Sequence, residues 1–236
     1  MNPFDNIPLA SSEAVASVVN LSTRINVAYP ALVQDFETKY VDCKNSWFAG
    51  ANKFSSNSAS LASGPHFARL VALGPKVTPL VVSKLTLHDE LFAIELYNKI
   101  ERNPRYKADP RDLLEYNTLQ RQANLIVDMI YERYNSINEA VKTWKNSMQK
   151  YYNLDSDEKD FANDEAYNNL IEFGKGAIAH VMLEWKTNTN EQANRLWEVV
   201  IDKIVNSEDT GVSNSGSLSW EKWSDWYGNK DYENTP

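Results

Sequence analysis

The chain has 236 residues, 42% of them hydrophobic and 24% charged, with a formal net charge of -8. That length is ample for a buried core, and that charge excludes a general attraction to nucleic acid or to an anionic membrane. One cysteine, Cys43, excludes an intrachain disulfide, and with only three histidines (His66, His88, His180) it excludes a zinc framework of the usual spacing, so neither a metal nor a cofactor is expected.

Glycine is scarce, with 8 in the chain, and apolar residues recur at three and four positions rather than alternating. This pattern predicts an all-α protein, read as a single helical domain over 1–236. The start, "MNPFDNIPLASS", has no basic or apolar leader, and no run of about 18 apolar residues follows. The expectation is a cytoplasmic protein with no membrane span.

In chain order, N-terminal helices are predicted over 11–49. Ser11 or Ser12 caps the first, with Glu13 in its first turn. Tyr29-Pro30 breaks it, because proline lacks the N–H and crowds the preceding turn. Leu32, Val33, Phe36, Tyr40, Cys43 and Trp47 then fall at helical spacing. The serine-rich stretch 51–65 reads as a surface connection, with a lid over a site as the rarer use of such a loop.

Next comes a unit over 66–101. Gly74 ends a short helix, since a left-handed position after a helix suits glycine. Pro75 then opens the next helix, where its missing N–H costs nothing. A second unit over 164–205 repeats the arrangement. Phe67, Leu70, Val71, Leu73, Gly74, Val81 and Leu85 correspond to Tyr167, Leu170, Ile171, Phe173, Gly174, Val181 and Trp185 at a constant offset of 100, as 174 − 74 shows. After a four-residue insertion, Phe92, Leu96, Lys99 and Ile100 meet Leu196, Val200, Lys203 and Ile204.

The segment "ALGPKVTPLVVSKLTLHDELFAIELYNKI" resembles a HEAT-like repeat of the phycobilisome-lyase type. The features that carry it are a glycine after the first helix, a proline corner, the apolar "VTPLVVSKL" helix and a second amphipathic helix. The two units, about 66–100 and 166–204, would then be equivalents in an irregular HEAT-like helical-hairpin array. The second departs at Lys175 and Ala179, where the first has Pro75 and Pro79. The resemblance implies a surface that binds a partner protein.

Between the units, 110–152 predicts a helical arm. Tyr116, Leu119, Ala123, Ile126, Ile130, Tyr134, Ile137, Val141, Trp144, Met148 and Tyr151 keep helical phase across it. One long helix is favoured over a hairpin broken at Asn135-Ser136. Its heptad-like stripe makes a homodimer through 116–151 conceivable. The acidic "LDSDEKDFANDE" lacks the glycine and terminal ligand of a calcium loop and reads as a solvated turn before a helix. A C-terminal helix over 219–228 carries Trp220, Trp223 and Trp226, followed by a frayed tail.

The candidate site residues follow from chemistry. Arg102, Arg105, Lys107 and Arg111 form a basic cluster in an acidic chain, suited to a phosphate or an acidic partner face. The same cations would also suit a solvated turn that offsets a helix dipole. The three tryptophans read either as a docking face or as a lid on the second unit. His180 and Glu184, spaced i,i+4, and His66 are the candidates for acid–base chemistry, set against a buried structural His180. The leading functional reading is a non-enzymatic interaction or scaffold protein. The alternative is an enzyme acting on a small organic substrate in an aromatic pocket. Nucleic-acid binding through 99–111 is disfavoured by charge.

Overall fold

A computed structural model describes residues 9–49 (backbone alone at 47–49), 62–88, 90, 92–107, 118–152, 161–206 and 220–234. The described residues are all-α, with no strand among them. The helices are α1 (Ser12–Ala28), α2 (Pro30–Ala49), α3 (Pro65–Val71), α4 (Thr78–Leu85), α5 (Ala93–Ile100), α6 (Leu119–Ser147), α7 (Glu165–Ile171), α8 (Ile178–Thr187), α9 (Glu191–Asn206) and α10 (Trp220–Asn229). The chain divides into two compact units, 1–133 and 134–236, with the boundary inside α6.

In the first unit, Ser11 caps α1. Its side chain accepts from the Ala14 N–H, and its own N–H donates to Asp128 at 2.9 Å. Proline ends α1 at the expected place, so α2 starts at Pro30. Helix α1 packs on α2 and α4, α2 on α3, and α4 on α5. The core between them holds Val18, Ile25, Phe36, Tyr40, Leu70, Val81 and Leu96. Burying an aliphatic side chain of this kind stabilises by about 1.5–3 kcal/mol.

In the second unit, α8 packs on α9 and α7 on α9. Trp144, near the end of α6, sits among Phe161, Tyr167 and Tyr151, with ring centroids 5.6, 5.5 and 6.2 Å away. Both corners have one local structure. Gly74 and Gly174 carry φ of 64° and 53°, each opening a 3₁₀ turn (Gly74–Val77 and Gly174–Ala177) that runs into α4 or α8. Several paired apolar positions agree in burial, as at Leu70 and Leu170, Val81 and Val181, Leu85 and Trp185, and Leu96 and Val200, whereas Leu73 and Leu196 are buried and their counterparts Phe173 and Phe92 are half-buried.

Tyr40 and Cys43 of α2 and Val141 and Trp144 of α6 are all buried. Their packing differs: α2 lies along α3, whereas Trp144 of α6 meets Tyr167 of α7 with ring centroids 5.5 Å apart.

Helix α6 runs unbroken through Asn135-Ser136 and continues as a 3₁₀ turn at Met148–Tyr151. Its stripe (Ile126, Ile130, Tyr134, Ile137, Val141, Trp144) is buried within the chain, while Leu119 and Leu125 stand exposed on it. The tail is not frayed throughout. Tyr232 lies in a 3₁₀ turn, and its carbonyl accepts from the Trp226 indole at 3.3 Å. The connection at 51–61, Asp109-Pro110, Arg111 and the acidic residues 155–160 lie outside the described residues. Among the described residues no helix is long and apolar enough to cross a membrane.

Candidate functional site

The basic cluster folds into a clamped turn. Helix α5 ends at Ile100, and Glu101 leaves it in extended conformation. The Glu101 carboxylate accepts from Arg133 of α6 at 2.7 Å, and both side chains are almost wholly buried. Its other oxygen accepts the Asn103 N–H at 2.8 Å. The Arg133 guanidinium lies 3.9 Å from the centroid of the Tyr106 ring, a distance suited to cation–π attraction. Tyr97 donates its hydroxyl to the Tyr106 carbonyl at 2.5 Å. Asn103 caps the 3₁₀ turn Pro104–Tyr106 through the Arg105 N–H. The turn is therefore tied from three sides, and Arg102, Arg105 and Lys107 stand exposed on it.

A polar cleft of about 270 Å³ lies in the second unit. The end of α6 gives it Lys145 and Asn146, and the 3₁₀ turn that follows gives Met148 and Gln149, with Tyr152 just beyond. The end of α8 gives Glu184 and Thr187, the residues after it give Asn188 and Thr189, and Trp197 of α9 completes the lining. Lys145 and Glu184 form an ion pair at 2.7 Å on its wall. Trp197 is fully buried, and its indole N–H has no hydrogen-bond partner.

The other candidates are taken up by packing. His180 is buried at the position of Leu80 and meets the Tyr134 ring edge-on at 5.0 Å. Glu184, which the sequence paired with it, turns to Lys145 instead. His66 is half-buried, and its Nδ1 lies 2.8 Å from the Arg69 guanidinium. Trp223 and Trp226 are fully buried in edge-to-face contact and are packing residues. Trp220 is half-buried and lies tilted against Trp185, with ring centroids 4.9 Å apart. Cys43 is buried, and burial pushes its thiol up to about 11, which leaves little thiolate for nucleophilic chemistry at neutral pH.

Sequence reasoning missed Asp164. It caps α7 by accepting the N–H groups of Ala166 and Tyr167. Its carboxylate also accepts from Ser147 at 2.6 Å and Tyr151 at 3.0 Å, and pairs with Lys150 at 2.7 Å. Burial pushes its carboxyl up, but hydrogen bonds from Lys150, Ser147, Tyr151 and the Ala166 N–H together outweigh that and hold it well below the usual carboxylate range. The available signal was a cap-type residue just ahead of an apolar helix. Among the described residues no group of three or more His, Cys, Asp or Glu is placed to hold a metal ion.

No protein-family model, curated protein or solved structure matches the chain.

Proposed function

We propose that this chain is a HEAT-like helical interaction protein that holds an acidic segment of a partner polypeptide on the turn 102–107. The observation that carries the reading is the clamped turn. Three cations stand exposed on backbone already fixed by the buried Glu101–Arg133 pair, so little ordering entropy is lost when a partner docks. Arginine suits carboxylates because its planar fork bonds them in pairs.

The repeated corner at Gly74 and Gly174 supports the HEAT-like part of the reading. A polypeptide is preferred to nucleic acid because three cations match a few carboxylates, whereas a net charge of -8 repels a long polyanion. An enzyme would bring a histidine and a carboxylate together in a cleft. Here His180 and Glu184 have separate partners. A cytoplasmic setting completes the reading.

The test is fluorescence anisotropy with a labelled peptide bearing a run of glutamates and its glutamine counterpart. The glutamate peptide should bind below about 100 μM and weaken with salt. The R102A/R105A/K107A variant should lose that binding. Equal binding of both peptides, or no binding of the glutamate peptide, sinks the proposal.

A further inference from the structure

The geometry points to the cleft between the ends of α6 and α8 as a binding site for a small zwitterion, an α-amino acid. Its volume of about 270 Å³ falls just under the usual range for small-molecule sites, which suits a ligand of a few heavy atoms. Its wall carries one cation and one anion side by side, Lys145 and Glu184 at 2.7 Å.

That pairing selects the charge type of the occupant. A ligand with a single charge would engage one partner of the bridge and strand the other. A zwitterion exchanges the bridge two for two: its carboxylate takes Lys145, its ammonium takes Glu184, and no charge is left alone. The bridge can open because Lys145 is half-exposed, with a side-chain exposure of 51%, and exposed bridges of this kind are weak.

The backbone adds to the ammonium's preference for Glu184. Both α6 and α8 end at the cleft, and helix C-termini present carbonyl groups and partial negative charge. The half-buried Tyr152 offers apolar surface for the ligand's side chain, with the buried Trp197 and Met148 in the wall behind, while Asn146, Gln149 and Asn188 offer amide partners at the rim. The site belongs wholly to the second unit and is independent of the basic turn, so either proposal can fail alone.

The test is an NMR titration of the full-length ¹⁵N-labelled chain with glycine, L-leucine, L-glutamine and L-phenylalanine. The readout is the Trp197 indole N–H resonance, assigned by comparison with W197F. At least one probe should shift it saturably with a Kd below about 5 mM. N-acetyl-L-leucine and L-leucinamide, each missing one charge, should bind about tenfold more weakly than the zwitterion. Glu184→Gln should weaken the zwitterion about tenfold, and Lys145→Gln, at a more exposed position, repeats the test should E184Q misfold. If no probe moves the resonance, if the blocked derivatives bind as well as the parent amino acid, or if the folded variant binds unchanged, the assignment is wrong.

Discussion

In the first unit, Lys84 of α4 bridges to Glu37 of α2 at 2.7 Å. In the second, the matching position after the corner is Glu184 of α8, bridged to Lys145 of α6, also at 2.7 Å. Position 84 is a cation and position 184 an anion, and each finds a partner of opposite sign on another helix. The contrast separates what two similar corners must share from what they need not. Corner backbone and buried apolar positions persist because they must fill one shape. A surface bridge needs only opposite signs, so it can exchange them.

The interiors diverge more. The first unit ties Tyr40 and Lys44 to Glu90, at 2.9 and 2.8 Å. Burial of Tyr40, with the Glu90 and Glu37 carboxylates nearby, pushes its hydroxyl far above the usual range, so it stays a donor at any working pH. The second unit instead gathers Ser147, Lys150 and Tyr151 on Asp164. The helix starts also differ. Position 64 is a glycine with no side-chain cap ahead of Pro65, whereas position 164 is an aspartate bonded to two backbone N–H groups.

The largest effect is expected at Arg133. Arg133 belongs to the first unit, where it is buried and bonded to the buried Glu101 at 2.7 Å. Arg133→Ala leaves Glu101 buried without its cation and should cost about 3–5 kcal/mol by urea denaturation. The double variant R133L/E101L removes both charges and should recover most of that loss. If the double variant is as unstable as the single one, packing rather than charge accounts for the cost.

Asp164 should come next. Asp164→Ala removes a cap and strands several donors, at about 2 kcal/mol. The equivalent helix start in the first unit has no side-chain cap to lose. The carboxyl is held low in the folded protein, so its contribution is complete above the ordinary carboxylate value of about 3.9 and is lost as pH falls towards the depressed one. The gap in Tm between the parent and D164N should therefore be widest near neutrality and narrow below about pH 4. A gap that stays constant with pH would mean the charge of Asp164 contributes nothing.

What the sequence made legible was periodic or local. The all-α class, the break at Pro30 and the corners at Gly74 and Gly174 follow from spacing and from the limits of proline and glycine. The Glu101–Arg133 pair joins residues 32 positions apart, beyond any local pattern. Asp164 looked like one of six carboxylates in a solvated turn, and only tertiary packing distinguishes it. The burial of Trp223 and Trp226 likewise depends on what they pack against, so spacing favoured a lid over a docking face without deciding between them.

The smallest effect sharpens the comparison of the corners themselves. Both glycines sit in the left-handed region, where a β-carbon costs about 1–2 kcal/mol. At Gly174 an added β-carbon would meet nothing within 4 Å, so Gly174→Ala should lose only that strain. Asparagine tolerates the same φ better, so Gly174→Asn should lose less than the alanine variant. Gly74 has nearly the same φ but leads into a corner in which Pro75, Lys76 and Val77 are all buried. Equal losses for G74A and G174A, read from urea midpoints, would mean that backbone conformation alone fixes glycine at both corners. A clearly larger loss for G74A would mean that the first corner also depends on close packing, whereas the second depends on the turn alone.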